Sequence, residues 1–176
     1  METSMQQPSW MAEAWRELGQ SERPGTAHNP RIVAMFDELG HSGQSDETAW
    51  CAAFVGACLE RAGIASTRSL MARSYEHWGI ASAAPTAGTV AVLRRGSDPA
   101  HGHVGFLVGA SDTHVYLLGG NQSDAVTVAP FDRDLVLAYR APLVDSDAEK
   151  IDPHFETALR HVLDMEGGWS DDPHDP

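Results

Sequence analysis

The chain holds two cysteines, Cys51 and Cys58, both within DETAWCAAFVGACLERAG at residues 46–63. A thiol attacks a carbonyl as thiolate, and a free cysteine with a pKa of about 8.5 offers only a few per cent of that form near neutrality. Something has to lower the pKa or take the proton. A helix start does the first through its unpaired N–H groups. The spacing predicts a helix over residues 46–63, with Asp46, Glu47 and Thr48 as cap and first-turn residues, Cys51 in the first turn and Cys58 two turns deeper. Asp46 and Glu47 oppose a thiolate if they point at the sulfur, so an imidazole partner is needed as well.

Nine histidines are available, and the informative ones sit on a rigid element. HGHVGFLVG supplies His101 near a loop and His103 inside what reads as a central buried strand, so His103 is the expected base. The next strand, HVYLLGGNQ, ends beside the start of its antiparallel neighbour. Asn121 is thereby placed to orient the ring, as the third member of a nucleophile, base and orienter set. His101 and His103 also share a strand face and can begin a zinc site, but no third and fourth ligand follow at metal spacing. Asp46 with Glu47 reads as a helix cap rather than a calcium pair. No metal or cofactor is expected.

These residues need elements to hold them. PSWMAEAWRELG predicts a helix capped by Ser9, with Trp10, Ala14, Trp15 and Leu18 on one stripe. HNPRIVAMFDELG predicts a second, with Asn29 as cap, Pro30 at the first position and Gly40 as terminator. The Cys51 helix is the third, and SLMARSYEHWG predicts a short fourth. After Pro85 the period changes: GTVAVLRR, HGHVGFLVGA, HVYLLGGN, AVTVAPF and LVLAYR read as five consecutive strands. Helices followed by an antiparallel meander is an α+β arrangement. Residues 1–141 form the expected domain, residues 142–153 an acidic linker, and residues 154–176 a further helix ending near Gly167.

Composition narrows the function. The chain has 176 residues, enough for one core, and 25 acidic against 12 basic residues give a formal charge of −13. That charge opposes nucleic acid and anionic membrane surfaces as partners. No apolar stretch approaches the roughly 20 residues that span a bilayer, and METSMQQPSW has neither the basic start nor the apolar centre of a signal peptide. The expected location is the cytoplasm until release or injection carries the protein to its target. Seven helical residues place the two sulfurs about 10 Å apart, too far to bridge.

A cysteine at a helix start, a Gly-His-Val on a strand and a polar residue closing the next strand resemble the papain-like peptidoglycan hydrolases of the CHAP and NlpC type. DETAWCAAFVGACLERAG with ARSYEHWG, GHVGFLVG and LLGGNQSD, over roughly residues 10–140, is similar to a branch found in phage lysis proteins and prophage regions. The resemblance implies helices packed on a mainly antiparallel sheet, and cleavage of an amide or peptide bond in the murein stem peptide. Cys51 attacks, His103 passes the proton to the leaving amine, and water resolves the thioester. The backbone N–H of Cys51 is one expected oxyanion donor. The third role falls to Asn121 or to Gln122, and Trp50, Trp78 and Gln122 are expected to contact substrate. Bacterial peptidoglycan is the expected partner, met by a monomer. The tail FETALRHVLDMEGGWSDDPHDP resembles the opening of a phage muramidase domain, with Glu166 at its acid position and no cleft to activate it. The alternatives are a non-catalytic murein- or protein-binding module on the same fold, and an injected antibacterial amidase toxin.

Overall fold

A computed structural model describes residues 7–143. The acidic linker beyond residue 143 and the muramidase-like tail with Glu166 lie outside the described residues. Three helices precede the sheet: α1 (Ser9–Arg16), α2 (Pro30–Glu38) and α3 (Cys51–Arg61). The α1 cap is Pro8, not Ser9, and the helix stops at Arg16, which leaves Leu18 beyond the stripe and exposed. Trp10, Met11 and Ala14 face the core, and the Trp10 indole N–H donates to Gly88 O at 2.9 Å, tying α1 to the entrance of the sheet. The second helix follows its sequence signals: Asn29 accepts from Arg31 N at 3.0 Å, Pro30 occupies the first turn, and Gly40 turns the chain at φ +87.

The third helix departs from expectation at its start. It begins at Cys51 itself, with Trp50 as a cap that offers no side-chain bond and no acid in the first turn. Asp46 is instead fully buried below α2, where it accepts from Arg23 N at 2.8 Å, Asn29 N at 2.7 Å and His28 Nδ1 at 2.8 Å. An acid just before an apolar run reads locally as a cap. Here two distant backbone donors and an imidazole claim it. The predicted fourth helix is a 3-10 helix, Ala72–His77.

The sheet has six strands rather than five: β1 (Ile80–Ala81), β2 (Val90–Arg94), β3 (Gly102–Ala110), β4 (His114–Gly119), β5 (Thr127–Asp132) and β6 (Val136–Ala141). The extra strand is a two-residue edge piece with no pattern of its own. All pairings are antiparallel, in the order β1-β6-β2-β3-β4-β5. The chain therefore passes from the β5 edge to the far side of β2 through only Arg133–Leu135. In a flat sheet, strands four spacings apart are about 19 Å distant. Four residue steps reach about 14 Å at most. The sheet must curl, and its two faces bury two different cores. Val90, Val92, Val104, Phe106 and Leu118 pack against the helices, whereas Ala91, Leu93, Leu107, Val115 and Leu117 fill the inner face with Phe131, Leu135 and Val136.

Candidate active site

The site forms where the sheet stops pairing. Registered β3–β4 pairs begin at Phe106 opposite Leu118, so Gly102–Gly105 of β3 have no registered β4 partner. The tip of α3 fills this gap. Gly120 makes the fit possible: a Cβ there would stand 2.5 Å from Trp50 Cζ3 and 2.7 Å from Phe54 Cβ. Cys51 is the first helical residue and is 8% exposed. The backbone N–H groups of Val104, Ala52 and Cys51 itself favour the ionised sulfur. Burial pushes the thiol above its ordinary value of 9.0, and the three N–H groups and the positive charge of Arg95 offset only part of that rise. The resting sulfur is therefore a thiol. Desolvation outweighs the N–H groups at the helix start. Cys58 is fully buried, its thiol pushed well up by desolvation, and it belongs to the core.

His103 is buried on the inner face of β3, next in sequence to the Val104 N–H that favours the ionised sulfur. Its ring lies 5.0 Å from that of Phe131, and its Nε2 is 2.9 Å from Gln122 Oε1. Gln122 fixes the ring's tautomer. The Gln122 amide nitrogen donates to Leu117 O at 3.2 Å, Thr127 O at 2.7 Å and Thr127 Oγ1 at 3.1 Å. Two of these partners are carbonyls that can only accept, so the amide cannot be turned around and Oε1 faces the imidazole. An acceptor at Nε2 requires the proton there, which leaves Nδ1 of the neutral ring as a base. Burial lowers the imidazole pKa below 6.5, the Arg95 charge adds to this, and the Gln122 acceptor opposes it.

Gln122 rather than Asn121 thus holds the ring. The reason is local: Asn121, Ser123 and Asp124 all adopt left-handed backbone, with φ of +56, +53 and +60. Side-chain direction in this turn does not follow strand alternation. The turn is pinned by Gln122 N to Ala125 O at 2.9 Å and by Glu22 N to Asp124 O at 2.9 Å. Gly119 leaves room for it, since a Cβ there would stand 2.5 Å from Gln122 Oε1 and 3.3 Å from His103 Nε2. The Gly119–Gly120 pair was the sequence signal for this close packing.

One expected substrate contact is corrected. Trp50 is 0% exposed, donates its indole N–H to Glu22 Oε1 at 2.7 Å and is core, so it cannot line a groove. Trp78 is half-buried, donates to Ala65 O at 2.9 Å and packs edge-on to Tyr75, away from the residues lining the cavity beside His103. That cavity, about 440 Å³, opens on the inner face of the sheet between His103, the Asn121–Ser123 turn, Arg94–Gly96 and the Phe131 ring. His101 is exposed and lies 3.7 Å from Asp98, apart from the site.

Residues 43–121 match the CHAP domain family. The CHAP match carries both Cys51 and His103 and closes at Asn121, one residue short of the ring's partner. With helices on a curled antiparallel sheet, the described residues have the α+β arrangement expected from the sequence. One similar solved structure is that of a protein described as similar to lipoprotein, NLP/P60 family, from Staphylococcus aureus subsp. aureus Mu50. The identity is 17% and the TM-score 0.44, over 82% of this chain and 46% of that one, so this chain spans about half that protein's length. No curated protein matches the chain. No helix among the described residues is long and apolar enough to cross a membrane.

Proposed function

We propose that the chain is a cysteine endopeptidase or amidase acting on bacterial peptidoglycan, with Cys51 as nucleophile, His103 as base and Gln122 as the residue that orients the ring. The observation that carries this reading is the His103 tautomer. An imidazole held by Gln122 with its proton on Nε2 offers a bare Nδ1, next in sequence to a Val104 N–H that favours the ionised sulfur of Cys51. Proteins with a CHAP domain are typically cysteine peptidases or amidases acting on peptidoglycan, which gives the substrate class.

Both groups rest in their neutral forms, so attack and deprotonation occur together. As Sγ bonds to the carbonyl carbon, its proton passes to His103 Nδ1 and negative charge gathers on the carbonyl oxygen. The first N–H groups of α3, unpaired within the helix, turn from the sulfur to stabilise that charge. The C–N bond then breaks as the imidazolium returns the proton to the leaving amine. A water, activated by the same nitrogen, hydrolyses the thioester and restores the thiol.

Digestion of purified murein followed by mass spectrometry tests the reading. The wild type is expected to release fragments carrying one new amine and one new carboxyl per cut, and Cys51→Ala none. Identical fragment sets from the two proteins, or none from either, would refute it.

A further inference from the structure

The cavity is lopsided with respect to the reacting groups: His103 lines it and Cys51 does not. On the function proposed above, on which this inference rests, the acyl carbon bonds to sulfur while the leaving amine takes its proton from the imidazole. The substrate residue that carries this amine therefore lies on the imidazole side, in the cavity. Its floor is apolar, formed by Leu93, Ala129, Phe131 and Leu135. Its rim is cationic, formed by Arg94 and Arg95, both exposed.

That rim is out of character with the chain. The net charge is −13, and several arginines are committed to carboxylates, Arg31 and Arg61 to Glu17, Arg68 to Glu60 and Arg73 to Glu76, while Arg133 donates to Ser111 O. Among the described residues neither Arg94 nor Arg95 has a salt-bridge or hydrogen-bond partner for its side chain. Two exposed arginines, neighbours in sequence and without a carboxylate among the described residues, line the cavity that holds His103 and can receive an external anion. The geometry points to Arg94 and Arg95 holding a carboxylate on the amine-side residue of the substrate.

This choice discriminates among murein bonds. A bond whose amine-side residue keeps a free carboxylate satisfies the rim. The muramoyl–alanine amide does not, because the carboxyl of that alanine is already engaged in the next peptide bond. The activity is therefore that of an endopeptidase rather than an amidase.

The test uses stem-peptide fragments prepared from purified murein, one portion with free carboxylates and one with them converted to carboxamides. The wild type should cleave the free-carboxylate portion about 10- to 100-fold faster, as charge-assisted bonds allow. The new amine should belong to a residue bearing a free carboxylate, and added salt should shrink the preference. In the Arg94→Gln, Arg95→Gln double variant the ratio should fall towards one. Equal rates for the two portions, or a ratio that survives the double variant, would overturn the inference and leave the hydrolase reading standing. Calorimetry with Cys51→Ala separates the opposite case. Carboxylate-dependent binding that disappears with both arginines, when the wild type cleaves nothing, would uphold the cavity and reject the hydrolase. No carboxylate preference in either binding or cleavage rejects the cavity.

Discussion

At the scale of single side chains, the Gln122 amide decides which nitrogen of His103 is free to accept a proton. Because the imidazole must be neutral to act and its pKa is held below 6.5, the acid limb of kcat/KM should lie below pH 6.5. Gln122→Glu sets a carboxylate against Nε2 and favours the imidazolium, so that limb should move upward in a pH–rate profile. The same change removes the donors to Leu117 O and Thr127 O and should cost about 1–3 kcal/mol in a denaturant titration. The sulfur makes an opposite statement. Since burial raises its pKa above 9.0, alkylation of the free protein by iodoacetamide should be slow near pH 6 and climb through pH 9, on Cys51 and not on Cys58. A helix-start cysteine alone suggests fast reaction near pH 6, because sequence position reveals the dipole but not the desolvation. Rapid carbamidomethylation at pH 6, read by peptide mass spectrometry, would show a thiolate already formed at rest.

Elements position these groups, and their legibility depended on whether the deciding contact was local. The cap and proline of α2 and the buried strand around His103 are written within a few residues and could be read, whereas the all-round burial of α3 from Cys51 to Leu59 could not. Asp46 could not, because its partners Arg23 N and Asn29 N lie 23 and 17 residues away. The choice between Asn121 and Gln122 depended on left-handed backbone at three non-glycine residues, which local propensity does not favour. Trp50 looked like a groove residue because it adjoins Cys51, yet Gly120 and Glu22 draw it into the core. Two substitutions probe these contacts. Gly120→Ala pushes a methyl into Trp50 and should cost about 1–3 kcal/mol by overpacking, with lower activity as the α3 tip shifts away from Val104. Asp46→Asn keeps the shape but loses charge-assisted bonds and should cost about 1–3 kcal/mol, leaving the pH–rate profile in place.

Over the whole molecule, the turn from β5 to β6 forces the sheet to curl, and the curl creates both the inner core and the cavity beside His103. The α+β class was legible from helices preceding strands, whereas the curl was not, since β6 pairs with β2 from the far end of the chain. Stability should follow pH in two steps. His103 takes up its proton more readily when unfolded, so the stability from its neutral burial is present above pH 6.5 and lost as pH falls through and below that value. Asp46, Glu17 and Glu60 have lowered carboxyl pKa values, Glu60 at about 2, because their partners outweigh burial. Their contribution is full above their unfolded values near 4 and lost as pH falls further, a second decline that melting temperatures across pH 7 to 2 should reveal. All of this architecture serves to hold one ring in one protonation pattern. Long-range proton–nitrogen correlation spectra of His103 at neutral pH read that pattern directly: a proton on Nε2 and a bare Nδ1 that shifts when Cys51 is alkylated is the predicted result. A proton on Nδ1, or a ring indifferent to modification of Cys51, would contradict it.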